Sequence, residues 1–148
     1  TARGLDVATL KHAHHAFDAD TPGKDSYRHR KAGARQVIVS SRARSVLFTE
    51  NADRGESRLE DLLDALAPAD IVIVEGYKRE PIPKIEIFRT ATGKPPLYTE
   101  DSRIIAVATD EPSALLANAP PSLDLNDIDA IVDYVCNLSN AGAVAAAS

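Results

Sequence analysis

The chain has 148 residues, 44% of them hydrophobic and 26% charged, enough for one domain with a core and too few for two comfortable ones, which excludes collagen, coiled coil and wholesale disorder. Cys136 is the sole cysteine, so neither a disulfide framework nor a cysteine-rich zinc site can form, and no apolar run approaches the roughly 20 residues of a membrane span. The net charge of −5 divides into nine Lys/Arg against four Asp/Glu over residues 1–44 and eight against eighteen over residues 45–148; that pattern disfavours general nucleic-acid binding and suits focusing a small polyanion onto one face.

The chain contains no methionine, so it is expected to be a processed product or a piece of a longer protein. Thr1-Ala2-Arg3-Gly4 lacks the apolar stretch of a secretory signal, and a cytoplasmic protein is expected. Gly4 ends a helix, and residues 7–10 form the first strand. A polar loop over residues 12–24 carries the turn Thr21-Pro22-Gly23. Asp25 or Ser26 caps a short helix ending near Ala32-Gly33. Residues 36–40 and 45–49 are two further strands. Ser57-Arg58-Leu59-Glu60 has capping-box form ahead of a helix to Leu66, in which Leu59, Leu62, Leu63 and Leu66 make one apolar stripe.

Residues 71–74 are apolar on both faces, as in a central parallel strand. Residues 84–89 alternate and predict a half-exposed strand; residues 104–108 predict a buried one. A last helix spans about residues 126–138, with Ile128, Ile131, Val132 and Val135 inward, and residues 139–148 are an Ala-rich tail expected to be disordered. Strands separated by helices imply right-handed crossovers and a mostly parallel sheet. One α/β domain over residues 1–138 is the expected architecture.

Ligands of such sheets bind beyond the carboxyl ends of the strands, and three strand ends carry polar residues there. The first is the loop with Lys11, His12, His14, His15, Asp18, Asp20, Lys24, Asp25, Arg28 and His29. Its histidines and carboxylates could ligate a metal, and a metal-dependent hydrolase using His12, His14, His15 and Asp20 is one reading. Its cations beside carboxylates suit phosphate with Mg²⁺ better than a bare zinc ion. Gly23-Lys24-Asp25-Ser26 is not a phosphate loop, because Asp18 and Asp25 stand where that motif needs Gly and Ser/Thr. The second strand end is Glu75-Gly76, laid out as a Walker-B-type Mg²⁺ site in which Gly lets the backbone approach a γ-phosphate. The third is Thr109-Asp110, where the carboxylate could accept from guanine N1–H and N2–H₂. Solvated loop or turn residues are the plain alternative at each place.

Lys11-His12-Ala13-His14-His15, Phe17-Asp18-Ala19-Asp20, Pro22-Gly23-Lys24-Asp25-Ser26 and Ala32-Gly33-Ala34 together resemble the MobB family of molybdopterin-guanine dinucleotide biosynthesis adapters. Val74-Glu75-Gly76-Tyr77-Lys78 and Pro81-Ile82-Pro83-Lys84-Ile85 are similar to its second signature block. The resemblance implies a P-loop NTPase-like three-layer α/β sandwich, GTP and Mg²⁺ as ligands, molybdopterin as a bound partner molecule, and a homodimer. It implies an accessory role to the MobA guanylyltransferase, which joins GMP to molybdopterin, with at most weak GTP hydrolysis; neither nucleic acid nor membrane is involved. Carried over residue by residue, Glu75 is the catalytic candidate and, with Asp25, the Mg²⁺ ligand. Lys11, His12, His14, Lys24, Asp25, Arg28 and Gly76 line the phosphate or pterin site, and Thr109 and Asp110 contact guanine. The family's opening strand and GxxxxGK[ST] loop do not occur in these 148 residues. The chain as given is therefore expected to bind GTP weakly and to leave a sheet edge uncovered.

Overall fold

The computed structural model describes residues 1–13, 17–140 and 146–147. In chain order its elements are β1 (Val7–Lys11), α1 (Asp25–Lys31), β2 (Gln36–Ser40), β3 (Ser45–Thr49), α2 (Leu59–Asp64), β4 (Ile71–Glu75), β5 (Lys84–Phe88), β6 (Ile104–Thr109), β7 (Ser122–Asp124), α3 (Ile128–Asn140) and β8 (Ala146–Ala147). They fall into two compact units, one of Thr1–His12 with Asp64–Ser148, the other of Ala13–Leu63.

The first unit is built on a six-stranded sheet in the order β1-β4-β8-β5-β6-β7. Every neighbouring pair in it is parallel, so all strand C-termini share one edge. The expected α/β class with a mostly parallel sheet is what the structure has. Ala146 and Ala147 lie in the stretch expected to be a disordered tail; they pair with Val74 and Glu75 on one side and Lys84 and Ile85 on the other. Neither β7 nor β8 is anticipated by the sequence pattern. Both are very short, and Pro120-Pro121 precedes the first of them.

Two core clusters hold this sheet. Phe88, Tyr98, Ile104 and Val107 pack together on one side, with the Tyr98 hydroxyl accepting from the Leu116 N–H at 3.0 Å. Ile85, Ala106 and Ala108 meet Ile131, Tyr134 and Val135 of α3, and the Tyr134 hydroxyl donates to the Ile105 carbonyl at 3.0 Å. Burying one such aliphatic side chain stabilises by about 1.5–3 kcal/mol. Ile128 was expected in that helical stripe, but it is the first residue of α3 and stays 65% exposed. The inward stripe begins one turn later, at Ile131. Nor is β4 buried throughout: Val74 is fully enclosed, whereas Ile73 is 39% exposed and belongs to neither cluster.

The larger correction concerns β5, predicted to be half-exposed. Four of its five residues are buried, Lys84 and Glu86 included. Alternation there puts Lys84, Glu86 and Phe88 on one covered face, where each charged side chain has hydrogen-bond partners, while Ile87 on the other face is 47% exposed. Lys84 Nζ donates to Asp101 Oδ2 at 2.8 Å and to the Ile82 carbonyl at 3.2 Å. Glu86 accepts from the backbone N–H groups of Leu97 and Tyr98.

In the second unit, β2 and β3 form an antiparallel hairpin with Val37 opposite Phe48, Ile38 opposite Leu47 and Val39 opposite Val46. Side chains alternate across a strand, so Ile38 and Leu47 share one face, 68% and 53% exposed. The residue preceding α1 is Lys24, which makes no side-chain cap. Ser26 does not cap the helix as expected; its hydroxyl donates to Asp20 Oδ1 at 2.8 Å.

Candidate functional site

Adjacent C-terminal ends of β1 and β4 place Lys11 directly opposite Glu75 in register. The ladder runs one step further, with the His12 N–H donating to the Glu75 carbonyl at 2.9 Å. The Lys11 ammonium and the Glu75 carboxylate form an ion pair between largely exposed side chains, a kind of contact that contributes little to stability. Its value lies in placing an exchangeable cation and a carboxylate together where an open parallel sheet binds ligands. Gly76 follows with φ +88°. A Cβ on it would stand 2.8 Å from the His12 Cβ, so glycine is required here to let His12 lie against the backbone. That differs from the expected reason, close approach of a phosphate. Tyr77 is also left-handed, at φ +51°, and its ring centroid is 4.8 Å from that of His12. The structure thus brings Lys11, His12, Glu75 and Gly76 together and adds Tyr77, which the sequence reading does not assign to the site.

The third predicted strand end is arranged differently from expectation. Thr109 is 1% exposed, and its Oγ1 accepts from the Glu111 N–H at 3.1 Å. It is turned into the fold, and any guanine contact at this edge falls to Asp110. That carboxylate pairs with Arg89 Nη1 at 2.8 Å. Arg89 immediately follows the last residue of β5, and no spacing motif connects it to Asp110.

Lys24, Asp25 and Arg28 belong to the second unit. Asp25 Oδ1 stands 3.6 Å from Arg28 Nη1. An open cleft of about 620 Å³ is lined by Lys24, Asp25 and His29, with Val37, Val39, Val46 and Phe48 of the hairpin. Lys24 makes no side-chain ion pair with the described residues. Arg28 does not line the cleft. Near it, Arg30 bonds Asp18 at 2.7 Å, Asp20 at 3.1 Å and Glu50 at 2.6 Å and lies 5.0 Å over the Phe48 ring. These bonds raise the Arg30 pKa, Asp18 contributing most, and the Arg30 guanidinium holds Asp18 below the usual carboxylate range. Burial pushes Asp20 up, but hydrogen bonds from Ser26, the Thr21 N–H and Arg30 outweigh it, so it too is lowered.

A pH dependence follows. Because these folded-state pKa values are depressed, the network's contribution is complete above the unfolded value of about 3.9. Below it the unfolded chain binds more protons, and stability falls with pH until the folded groups protonate too. The urea midpoint is expected to drop as pH falls below 4, and Arg30→Met to flatten that drop. An identical acid profile in the variant would show that other carboxylates set it.

His14 and His15 lie outside the described residues. Among the described residues, no group of three or more His, Cys, Asp and Glu side chains is placed to hold a metal ion. The site at Glu75 offers one carboxylate beside a cation, too little for a metal held by protein alone and compatible with a hard cation that also takes phosphate oxygens. No helix among the described residues is long and apolar enough to cross a membrane.

Comparison with known proteins bears on the family and the fold. Residues 1–110 match the family model described as molybdopterin guanine dinucleotide synthesis protein B, MobB. The molybdopterin-guanine dinucleotide biosynthesis adapter protein of Escherichia coli is 43% identical over 137 residues, 90% of this chain and 77% of that protein. Its namesake from Haemophilus influenzae is 38% identical over 142 residues, 92% and 74% of the two chains. The crystal structure of a MobB homologue from Bacillus stearothermophilus superposes with a TM-score of 0.65 at 27% identity, covering 95% of this chain and 81% of that one. None of these relatives supports the metal-dependent hydrolase reading. With the match over residues 1–110 and relatives of this similarity, the chain belongs to the MobB family.

Proposed function

We propose that this protein is a GTP- and Mg²⁺-binding adapter of molybdenum cofactor biosynthesis that assists the attachment of GMP to molybdopterin. The observation that carries the reading is the Lys11–Glu75 pair with His12 and Gly76 at the joined ends of two parallel strands. Lys11 exchanges Glu75 for phosphate oxygens, and the freed carboxylate holds Mg²⁺ or its water. The metal, when bound, neutralises phosphate charge. Within the second unit, Asp25 is a separate candidate metal ligand, and Lys24 with Arg28 supplies cations for phosphate or for molybdopterin. Asp110 is the guanine acceptor, exchanging Arg89 for the base. Hydrolysis is at most slow, and the protein serves chiefly as an accessory.

The partner is the MobA guanylyltransferase, met in the cytoplasm, and the excess of cations over residues 1–44 suits an acidic surface. A homodimer is supported by the exposed Ile38–Leu47 pair, since a two-stranded hairpin is marginal unless its apolar face is covered.

Equilibrium titration of the natural protein with GTP and ATP, with and without Mg²⁺, tests the reading. GTP is expected to bind about tenfold more tightly than ATP, a difference of about 1.4 kcal/mol, and Glu75→Gln to remove most of the Mg²⁺ dependence. Equal affinity for the two nucleotides would sink the guanine assignment.

A further inference from the structure

Tyr77 takes a backbone conformation that costs an aromatic residue energy, since φ +51° lies in the left-handed region. It does so directly after Gly76, also left-handed at +88°, so two consecutive residues turn the chain sharply off the end of β4. A second turn follows at once, with the Glu80 N–H donating to the Tyr77 carbonyl at 3.0 Å. A strained residue persists where its surroundings over-determine it, and His12 is among the groups that surround Tyr77. The His12 ring lies 4.8 Å from the Tyr77 ring at an interplanar angle of 41°, within the range of favourable aromatic pairs. The His12 Cβ lies 2.8 Å from where a Gly76 Cβ would stand, and the His12 N–H is bonded to the Glu75 carbonyl. Backbone, Cβ and ring of one histidine are therefore each held by one of three successive residues, Glu75, Gly76 and Tyr77. His12 is the immediate neighbour of Lys11, whose ammonium pairs with Glu75.

We infer that Tyr77 is a positioning residue, which fixes the His12 imidazole beside the Lys11–Glu75 pair so that His12, and not Tyr77, meets the phosphates of the bound nucleotide. The inference rests on the nucleotide-binding reading for its ligand, but not for the placement of His12. Tyr77 spends conformational energy that a glycine would not need to spend, and the ring is what the fold receives in return. Removing the ring while relieving the backbone separates the two roles.

The test uses Tyr77→Gly, Tyr77→Phe, His12→Ala and the Tyr77→Gly/His12→Ala double variant of the natural protein. Glycine accepts the left-handed turn, so the Tm of Tyr77→Gly is expected at or above that of the wild type. Its affinity for Mg²⁺-GTP is expected to fall about tenfold, as does that of His12→Ala, while the double variant binds no worse than either single one, the non-additivity that marks residues acting through one another. Tyr77→Phe keeps the ring and is expected to restore binding to within about twofold. Wild-type affinity in Tyr77→Gly, or a hundredfold additive loss in the double variant, overturns the inference. If the wild type itself binds no GTP, the proposed function fails, and the positioning is decided by NMR. The His12 ring protons must then move in Tyr77→Gly and stay in place in Tyr77→Phe, through loss or retention of the neighbouring ring current. Unmoved resonances in Tyr77→Gly overturn it.

Discussion

Gly76→Ala is expected to destabilise the protein by about 2–4 kcal/mol, from left-handed strain of about 1–2 kcal/mol plus overpacking. The first part comes from φ +88°, which penalises any L side chain. The second comes from the His12 Cβ, 2.8 Å from the new methyl group. His12 cannot step aside cheaply, because its N–H is tied to the Glu75 carbonyl and its ring to Tyr77. Relief of the clash must displace the end of β1 or of β4, which parts Lys11 from Glu75. Nucleotide binding is therefore expected to fall together with stability. Gly93→Ala is the matched control in the same unit, with φ +65° but nothing within 4 Å of a new Cβ; it is expected to cost about 1 kcal/mol, the conformational part alone. Urea unfolding of the two variants measures the difference. Equal losses would mean that His12 yields to the methyl group without cost.

The strand pattern was legible because it depends on local alternation and run length. Residues 36–40 and 45–49 are predicted and observed as strands with the same bounds, and the four predicted strands of the parallel sheet, β1, β4, β5 and β6, each differ by one terminal residue. What was not legible depends on partners distant in sequence. Lys84 looks like a solvent-facing residue until Asp101, 17 positions on, is seen to take its ammonium. Arg30 looks like one of several basic residues of a short helix, yet it joins Asp18 and Asp20 of one loop to Glu50, 20 positions on. Thr109 and Asp110 are neighbours with opposite fates, one enclosed and one paired with Arg89, which alternation along β6 allows but does not assign. Tyr77 carries a faint signal: it follows a glycine at a strand end, where left-handed turns concentrate. Only the structure shows that the second left-handed residue is the tyrosine.

Glu86→Ala is expected to cost about 2–4 kcal/mol, because it leaves two backbone donors inside the fold without acceptors. Glu86 is 3% exposed, and its two oxygens take the Leu97 N–H at 2.6 Å and the Tyr98 N–H at 3.0 Å. Those donors open the 3-10 turn Leu97–Thr99, which presents Tyr98 to Phe88, Ile104 and Val107. The carboxylate therefore joins a loop to the core through main-chain bonds, and losing it loosens the Tyr98 packing as well. Glu86→Gln keeps the volume but replaces one acceptor oxygen by an NH₂ group facing a donor, so about half the loss is expected. Desolvating a carboxylate is itself costly, which is why the net figure stays well below the sum of two charge-assisted bonds. Glu75→Gln makes the contrast: that carboxylate belongs to an exposed pair, and the change is expected to shift stability by less than about 1 kcal/mol while altering nucleotide binding. Urea midpoints for the three variants decide the matter. A Glu86→Ala protein as stable as Glu75→Gln would mean that water replaces the carboxylate at the turn, and that the Tyr98 cluster holds without it.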